Sequence, residues 1–102
     1  MTVIQISATE LHTKIQQQAV FLLDVREPHE FKFVHIAGSQ LIPLSQLSSK
    51  LAELNPQHDI VTICHHGMRS QQAAVFLAHQ GFAQVFNLRG GIDAWSREVD
   101  ST

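Results

Sequence analysis

Residues 60–70 of this 102-residue chain read IVTICHHGMRS, and this stretch decides the fold. Its first four residues are all β-branched, which is typical of a buried strand. Small and apolar residues recur at helical spacing between Ala73 and Ala78, and they predict a helix that ends at Gly81. A strand that passes through a short polar loop into a helix is the repeating unit of a parallel α/β sheet. Ligands of such sheets bind beyond the carboxyl ends of the strands, where this loop lies.

The rest of the chain repeats the alternation of strands and helices. Apolar runs predict further strands over residues 3–6, 20–23, 41–42 and 85–88. Helices are predicted from a capping box at Ser7 and Glu10, from Pro28, from leucines at positions 44, 47, 51 and 54, and around Trp95. We therefore expect one α/β domain over residues 1–102, with an about five-stranded parallel sheet and helices on both faces.

Composition argues against several classes of protein. Seven Lys and Arg residues oppose nine Asp and Glu residues, and the formal net charge of −2 gives no sign of a nucleic-acid-binding surface. No stretch approaches the ~20 apolar residues of a membrane span. The first residues lack the basic start and apolar run of a secretory signal. We expect a cytoplasmic protein with no nucleic-acid or membrane partner.

The chain contains one cysteine, Cys64. A single thiol can form no internal disulfide and cannot build a four-cysteine metal site. His65 and His66 follow it directly, but adjacent residues rarely point at one ion, so we expect no metal and no cofactor. A lone cysteine is most often a core residue. A core cysteine has no need of the polar, glycine-containing loop that follows Cys64, and we expect this thiol to be chemically active.

The loop after Cys64 is suited to hold an anion. Backbone N–H groups that precede a helix can point at one atom, and the helix dipole adds positive potential there. Such surroundings lower the pKa of a thiol from its ordinary value of about 8.5. Arg69 adds a permanent charge, and Gly67 permits a tight turn. His65 and His66 add charge when protonated, or else simply face solvent.

Three stretches of the chain together resemble the rhodanese family of sulfurtransferases. Residues 64–70 are similar to the active-site loop of that family. Residues 23–31, 35–38 and 42–44 are similar to its N-terminal signature, and residues 81–95 resemble its C-terminal signature. The matches span residues 20–95 in the family's order. One departure is Val34, which stands where family members usually have Gly and which affects a structural turn away from the loop.

The resemblance implies a rhodanese-like three-layer fold and the transfer of a sulfane sulfur. Cys64 would take the sulfur from a donor, hold it as a persulfide and pass it to a thiol or cyanide. Backbone N–H groups of the loop would stabilise the terminal sulfur. The implied substrate-binding loop consists of His65, His66, Gly67, Met68, Arg69 and Ser70.

The resemblance also implies roles for individual side chains. Arg69 would pair with the anionic end of the donor or hold the shape of the loop, and Ser70 would cap the following helix. Asp24 and Arg26 lie at the end of a buried strand on the same sheet edge as the loop. They would either orient the loop from behind or form a salt bridge that fixes the strand end.

Loop length separates sulfur transfer from phosphate chemistry. Four residues lie between Cys64 and Arg69, whereas phosphatases of similar fold carry five, and the shorter loop suits one sulfur atom. The basic residues of the loop favour an anionic donor such as thiosulfate. Two alternatives stay open: a persulfide carrier or regulatory module for a sulfur-accepting protein, and, less favoured, a phosphatase or arsenate reductase. The expected partners are a small-molecule sulfur donor, a thiol or cyanide acceptor and, for a carrier, that protein.

Overall fold

A computed structural model of the chain describes residues 2–100, in which five parallel strands form one sheet. The strands are β1 (Val3–Ile6), β2 (Phe21–Asp24), β3 (Gln40–Leu41), β4 (Asp59–Ile63) and β5 (Gln84–Leu88). Their order across the sheet is β1-β5-β4-β2-β3, so β4 lies between β5 and β2. Because the strands are parallel, the segments that follow β2 and β5 reach the same sheet edge as the loop after β4.

Helices cover both faces of the sheet. They are α1 (Ala8–Gln17), α2 (Pro28–Phe33), α3 (Met68–His79) and α4 (Gly91–Glu98). α3 packs with residues 44–54 over one apolar core, and α1 packs with α4 over the other. This arrangement confirms the predicted α/β fold with a parallel sheet between two helical layers. No helix within residues 2–100 is long and apolar enough to cross a membrane.

The predicted helix ends are confirmed at α1 and α3. The Ser7 hydroxyl accepts a hydrogen bond from the Glu10 N–H at 3.1 Å, and the Glu10 carboxylate accepts one from the Ser7 N–H at 2.8 Å. After α3, Gly81 has a φ of +89°. This left-handed conformation lets the N–H groups of Gly81 and Phe82 reach the last carbonyls of the helix, each at 3.2 Å.

The predicted helix through residues 44–54 is wrong. This segment forms two separate 3₁₀ turns, Leu44–Gln46 and Leu51–Glu53. Ser48 and Ser49 lie between them, and the Ser49 hydroxyl donates to the Gln46 carbonyl at 2.9 Å. Serine hydroxyls compete with helical backbone bonds in this way. The leucine spacing nevertheless identified core positions, since Leu47 and Leu54 are buried.

Candidate active site

Cys64 lies immediately after β4, and only 1% of its surface is exposed. Its Sγ accepts hydrogen bonds from the Gly67 N–H at 3.0 Å and from the Ser70 hydroxyl at 3.3 Å. Gly67 has a φ of +105° and precedes the first residue of α3. That left-handed conformation turns its N–H back toward the sulfur, and side-chain-bearing residues rarely adopt it. The loop therefore brings two hydrogen-bond donors to one sulfur atom.

The surroundings of Cys64 favour the thiolate. Burial raises the pKa of the Cys64 thiol, but the Ser70 hydroxyl and the N–H groups of Ser70, Gly67 and His66 lower it by hydrogen bonding. The hydrogen bonds outweigh burial, and the pKa lies below that of a free thiol. A larger share of Cys64 is consequently ionised and nucleophilic at neutral pH.

Ser70 does not cap α3, and that prediction is wrong. The helix begins at Met68, Gly67 occupies the cap position, and Ser70 is the third helical residue. Because of this position, its side chain points back under the loop, where the residue is fully buried. The hydroxyl lies between Cys64 Sγ and Asn87 Oδ1, at 3.3 and 2.5 Å. Ser70 thus contacts the nucleophile itself.

Arg69 binds a carboxylate on another element. Its two terminal nitrogens donate to the two oxygens of Glu30, in α2, at 2.8 and 2.9 Å. These hydrogen bonds lower the pKa of Glu30 to about 2 despite its partial burial, so the pair is charged throughout the neutral range. Of the two predicted roles, holding the shape of the loop is the one this geometry shows. The Arg69 side chain is 38% exposed, so an anion in solution can still reach it.

Asp24 and Arg26 pair with each other. Arg26 Nη2 lies 2.8 Å from Asp24 Oδ2, and both side chains are almost completely buried. The same nitrogen donates to the Val34 carbonyl at 2.6 Å. Within residues 2–100 the hydrogen bonds of this pair fix the turn after β2, and they do not reach the loop. The geometry therefore matches the predicted salt bridge at the strand end and not a contact that orients the loop. Val34 has a φ of −158°, an extended conformation in which a branched residue replaces Gly without strain.

His65, His66 and Met68 form the exposed surface of the loop. The two imidazole rings stack, with centroids 4.1 Å apart and planes 11° apart. His66 and Met68 line one cleft with Gly67, and His65 lines a second cleft with Glu30. The two histidines therefore face different clefts at the loop.

One group of side chains near the loop has the composition of a metal site. His65, His66 and Asp93 each place a donor atom within 4.8 Å of the others. The Asp93 carboxylate lies 3.2 Å from Arg97, whose positive charge competes with a metal ion for it. The absence of a metal stays a prediction.

The amino end of α4 binds the other side of the loop. The Cys64 carbonyl accepts from the Ile92 N–H at 2.8 Å, and the His65 carbonyl accepts from the Asp93 N–H at 3.0 Å. Gly90 and Gly91 both have positive φ, which allows the chain to turn into the helix at this point. With these carbonyls held by α4, the following N–H groups of the loop face the sulfur.

Sequence reasoning assigned no role to Glu30, Asn87 or Gly91. Asn87 did carry a signal, because asparagine is uncommon inside a strand, and its neighbours Phe86 and Leu88 in β5 are apolar. The paired glycines before α4 were a second signal in the sequence. No signal in the sequence indicated the contact between Glu30 and Arg69, since the residues are 39 positions apart in the chain.

Known proteins share this architecture. A family model described as rhodanese-like domain matches residues 7–98. The thiosulfate sulfurtransferase GlpE of Stutzerimonas stutzeri is 38% identical over 78% of this chain and 73% of its own length. The putative sulfur carrier protein YrkF of Bacillus subtilis is 37% identical over 81% of this chain and 45% of its own length. The crystal structure of a rhodanese-related protein from Thermoplasma volcanium superposes with a TM-score of 0.87 at 38% identity, over 94% of this chain and 93% of that one.

The chain is shorter than several of these proteins. It spans 34% of the length of one curated relative and 62% of another. The similarity therefore concerns the domain that carries Cys64 and its loop.

Proposed function

The chain belongs to the rhodanese-like domain family, and we propose that it moves a sulfane sulfur from thiosulfate to a thiol or cyanide through a persulfide on Cys64. The relatives named thiosulfate sulfurtransferase support sulfur transfer as the class of reaction. The observation that carries the proposal is the ring of donors around Cys64 Sγ, where the Gly67 N–H and the Ser70 hydroxyl meet the sulfur. This ring favours a thiolate before the reaction and a charged terminal sulfur after it.

In the first step the Cys64 thiolate attacks the outer sulfur of thiosulfate. An S–S bond forms to Cys64 while the bond between the two sulfurs of thiosulfate breaks, and sulfite leaves with that electron pair. Three negative charges enter the step, and three leave it as one persulfide anion and one sulfite dianion. The lowered pKa of Cys64 assists this step because only the thiolate is nucleophilic.

In the second step an acceptor attacks the terminal sulfur. Cyanide forms a bond to that sulfur, the S–S bond to Cys64 breaks, and the thiolate is regenerated as thiocyanate leaves. A thiol acceptor reacts as its thiolate and leaves as a persulfide. Because the chain has one cysteine, no second thiol of its own can displace the sulfur, and the acceptor is external.

A second candidate function is sulfur carriage for one protein partner. The similarity to a protein named as a putative sulfur carrier favours it. The two functions share the loaded state and differ in how readily a small acceptor discharges it. A carrier keeps its sulfur when it meets cyanide and releases it only to the partner.

The test is to load the protein with thiosulfate and then to add cyanide. We expect the intact mass to rise by one sulfur atom and sulfite to appear in equal amount, because the thiolate is already favoured. Cyanide should then return the original mass and release thiocyanate. Loading without discharge would assign the carrier function. The absence of an adduct with thiosulfate and with other sulfane donors would overturn both.

Arg69→Ala should lower kcat/KM for thiosulfate by roughly 10- to 100-fold. The reason is that the guanidinium adds positive charge beside the loop. Its hydrogen bonds to Glu30 raise the pKa of Arg69 most, and the negative charge of Cys64 raises it further, so Arg69 and Cys64 attract each other. Steady-state thiocyanate formation over a range of thiosulfate concentrations measures the change. Unchanged kinetics would show that the backbone N–H groups of the loop bind thiosulfate without help from Arg69.

Glu30→Gln is the matched control for Arg69→Ala. It keeps the guanidinium and removes the carboxylate charge that the guanidinium pairs with. If Arg69 acts by its charge, Glu30→Gln should retain kcat/KM within about 3-fold. Equal losses in the two variants would instead show that the pair acts by holding the loop in place.

A further inference from the structure

Asn87 is a buried polar residue near the carboxyl end of β5, and only 3% of its surface is exposed. It lies on the sheet face that α3 covers, below the amino end of that helix. Its Nδ2 donates to Gln5 Oε1 at 2.9 Å and to the Gly67 carbonyl at 3.3 Å, and its Oδ1 meets the Ser70 hydroxyl. The residue therefore contacts both residues that hydrogen-bond to Cys64 Sγ: the hydroxyl of Ser70 and the carbonyl of Gly67.

The contact with Gly67 fixes the orientation of the Asn87 amide. A backbone carbonyl only accepts hydrogen bonds, so the NH₂ group must face Gly67 and the oxygen must face Ser70. An amide oxygen also only accepts, and the Ser70 hydroxyl must be the donor in that contact. No rotation of the amide relieves this requirement while the Gly67 contact is kept.

Ser70 then faces two acceptors with a single proton. A hydroxyl donates one hydrogen bond, and both Asn87 Oδ1 and an ionised Cys64 Sγ require it. When Cys64 is a neutral thiol, its S–H can donate to the Ser70 oxygen, and the Ser70 proton goes to Asn87. When Cys64 is a thiolate, the proton must turn toward the sulfur, and Asn87 loses its donor.

We propose that Asn87 is a positioning residue that competes with the Cys64 thiolate for the proton of Ser70. The proposal rests on the sulfur-transfer function, in which Cys64 alternates between a thiolate and a persulfide. In the persulfide the negative charge moves to the terminal sulfur, and Sγ no longer requires the proton, which returns to Asn87. The competition makes the thiolate more basic than the Ser70 hydrogen bond alone would, and a more basic thiolate is a stronger nucleophile.

The test is the pKa of Cys64, measured by the ultraviolet absorbance of the thiolate during a pH titration. The chain has one cysteine and no tyrosine, so neither a second thiolate nor a tyrosinate contributes to the absorbance change. Asn87→Leu keeps the branched shape and removes the polar atoms. We expect it to lower the Cys64 pKa by about half a unit to one unit, because Ser70 can then donate to the thiolate without competition.

Ser70 variants separate competition from a general loosening of the loop. Ser70→Ala should raise the Cys64 pKa by removing the donor. In the Ser70→Ala background, Asn87→Leu should leave the pKa unchanged, because the contested proton is gone. A shift that persists without Ser70, or an Asn87→Leu pKa that is unchanged or raised, would overturn the proposal.

Thr62→Val is the control for the loss of a buried polar group. The Thr62 hydroxyl donates to the Ser70 carbonyl at 2.9 Å and does not bond to the Ser70 hydroxyl. We expect this variant to leave the Cys64 pKa unchanged, and a shift as large as that of Asn87→Leu would contradict the proposal. Asn87→Ala replaces Asn87→Leu if the larger side chain prevents folding, and the same shift is expected.

All of these variants keep the charged and titratable groups on the elements around Cys64. Among these groups are His65, His66 and Arg69 on the loop and in α3, Asp24 in β2, Arg26 after β2, Glu30 in α2, Arg89 after β5, and Asp93 in α4. The titration needs no sulfur donor. A protein that shows the expected pKa shifts but takes no sulfur would therefore keep the Asn87 proposal and lose the proposed function.

Discussion

Cys64→Ser should prevent sulfur loading and lower thiocyanate formation by at least about 1,000-fold. The hydroxyl of serine is hardly ionised at neutral pH, and the hydrogen bonds to this position come from the Gly67 N–H and the Ser70 hydroxyl, which are not bases that could remove its proton. The Gly67 N–H and the Ser70 hydroxyl favour an anion that is already formed, and they cannot create one. Intact mass after thiosulfate treatment and thiocyanate release on cyanide addition measure the two effects.

The fold of Cys64→Ser should be preserved, so its activity can be compared directly with that of the unmodified protein. Oxygen is smaller than sulfur and fills the same buried position, and the hydrogen bonds from the loop to Sγ can be made to Oγ. Thermal unfolding is the control, and we expect a change in the free energy of unfolding of at most about 1 kcal/mol. A stable variant that still forms thiocyanate at a tenth of the original rate would show that another residue carries the sulfur.

The position of Cys64 could be predicted because it depends on local sequence. Four β-branched residues define β4, the small residues after Arg69 define α3, and the loop between them falls at the carboxyl edge of any parallel sheet. The capping box at Ser7 and Glu10 and the end of α3 at Gly81 are local in the same sense. Each depends on residues within five positions of one another.

The contacts that tune Cys64 could not be predicted because they join distant segments. Glu30 meets Arg69 only because β2 and β4 are neighbours in the sheet, and Asn87 meets Ser70 only because β5 lies on the other side of β4. The order of the strands in the sheet cannot be inferred from the sequence of any single segment. The role of Ser70 depended on a shift of three residues in the start of α3, and helix ends predicted from sequence are commonly uncertain by that amount.

The loop is thus held between neighbours that come from both sides of β4. Arg69 links it to α2, and α4 binds the carbonyls of Cys64 and His65. Arg69 and Glu30 are partly exposed, and a surface ion pair of this kind contributes little to stability. The contact with α4 is buried and involves backbone on both sides, so it should dominate the stability of the loop.

Gly91→Ala should therefore cause a large loss of stability. A Cβ on Gly91 would lie 2.3 Å from the Cys64 carbonyl oxygen and 2.4 Å from that of His65, and both are backbone atoms that cannot move independently. The φ of +60° adds strain for any residue with a side chain. We expect a loss of about 4 kcal/mol in the free energy of unfolding, from the clash and the backbone strain together.

Sulfur transfer should fall with the stability of Gly91→Ala, because α4 can relieve the clash only by leaving the loop. The carbonyls of Cys64 and His65 would then lose the Ile92 and Asp93 N–H groups. We expect kcat/KM for thiosulfate to fall at least about 10-fold at a temperature where the variant is folded. Denaturant unfolding and thiocyanate formation measure the two losses.

Gly38→Ala separates the clash from the backbone strain. Gly38 has a φ of +86°, but a Cβ there meets no atom within 4 Å. It should cost about 1 kcal/mol, the strain alone, and leave kcat/KM unchanged. If Gly91→Ala were no less stable than Gly38→Ala and equally active, α4 would not hold the loop. A large loss in Gly91→Ala alone assigns the geometry of the sulfur-binding loop to its contact with α4.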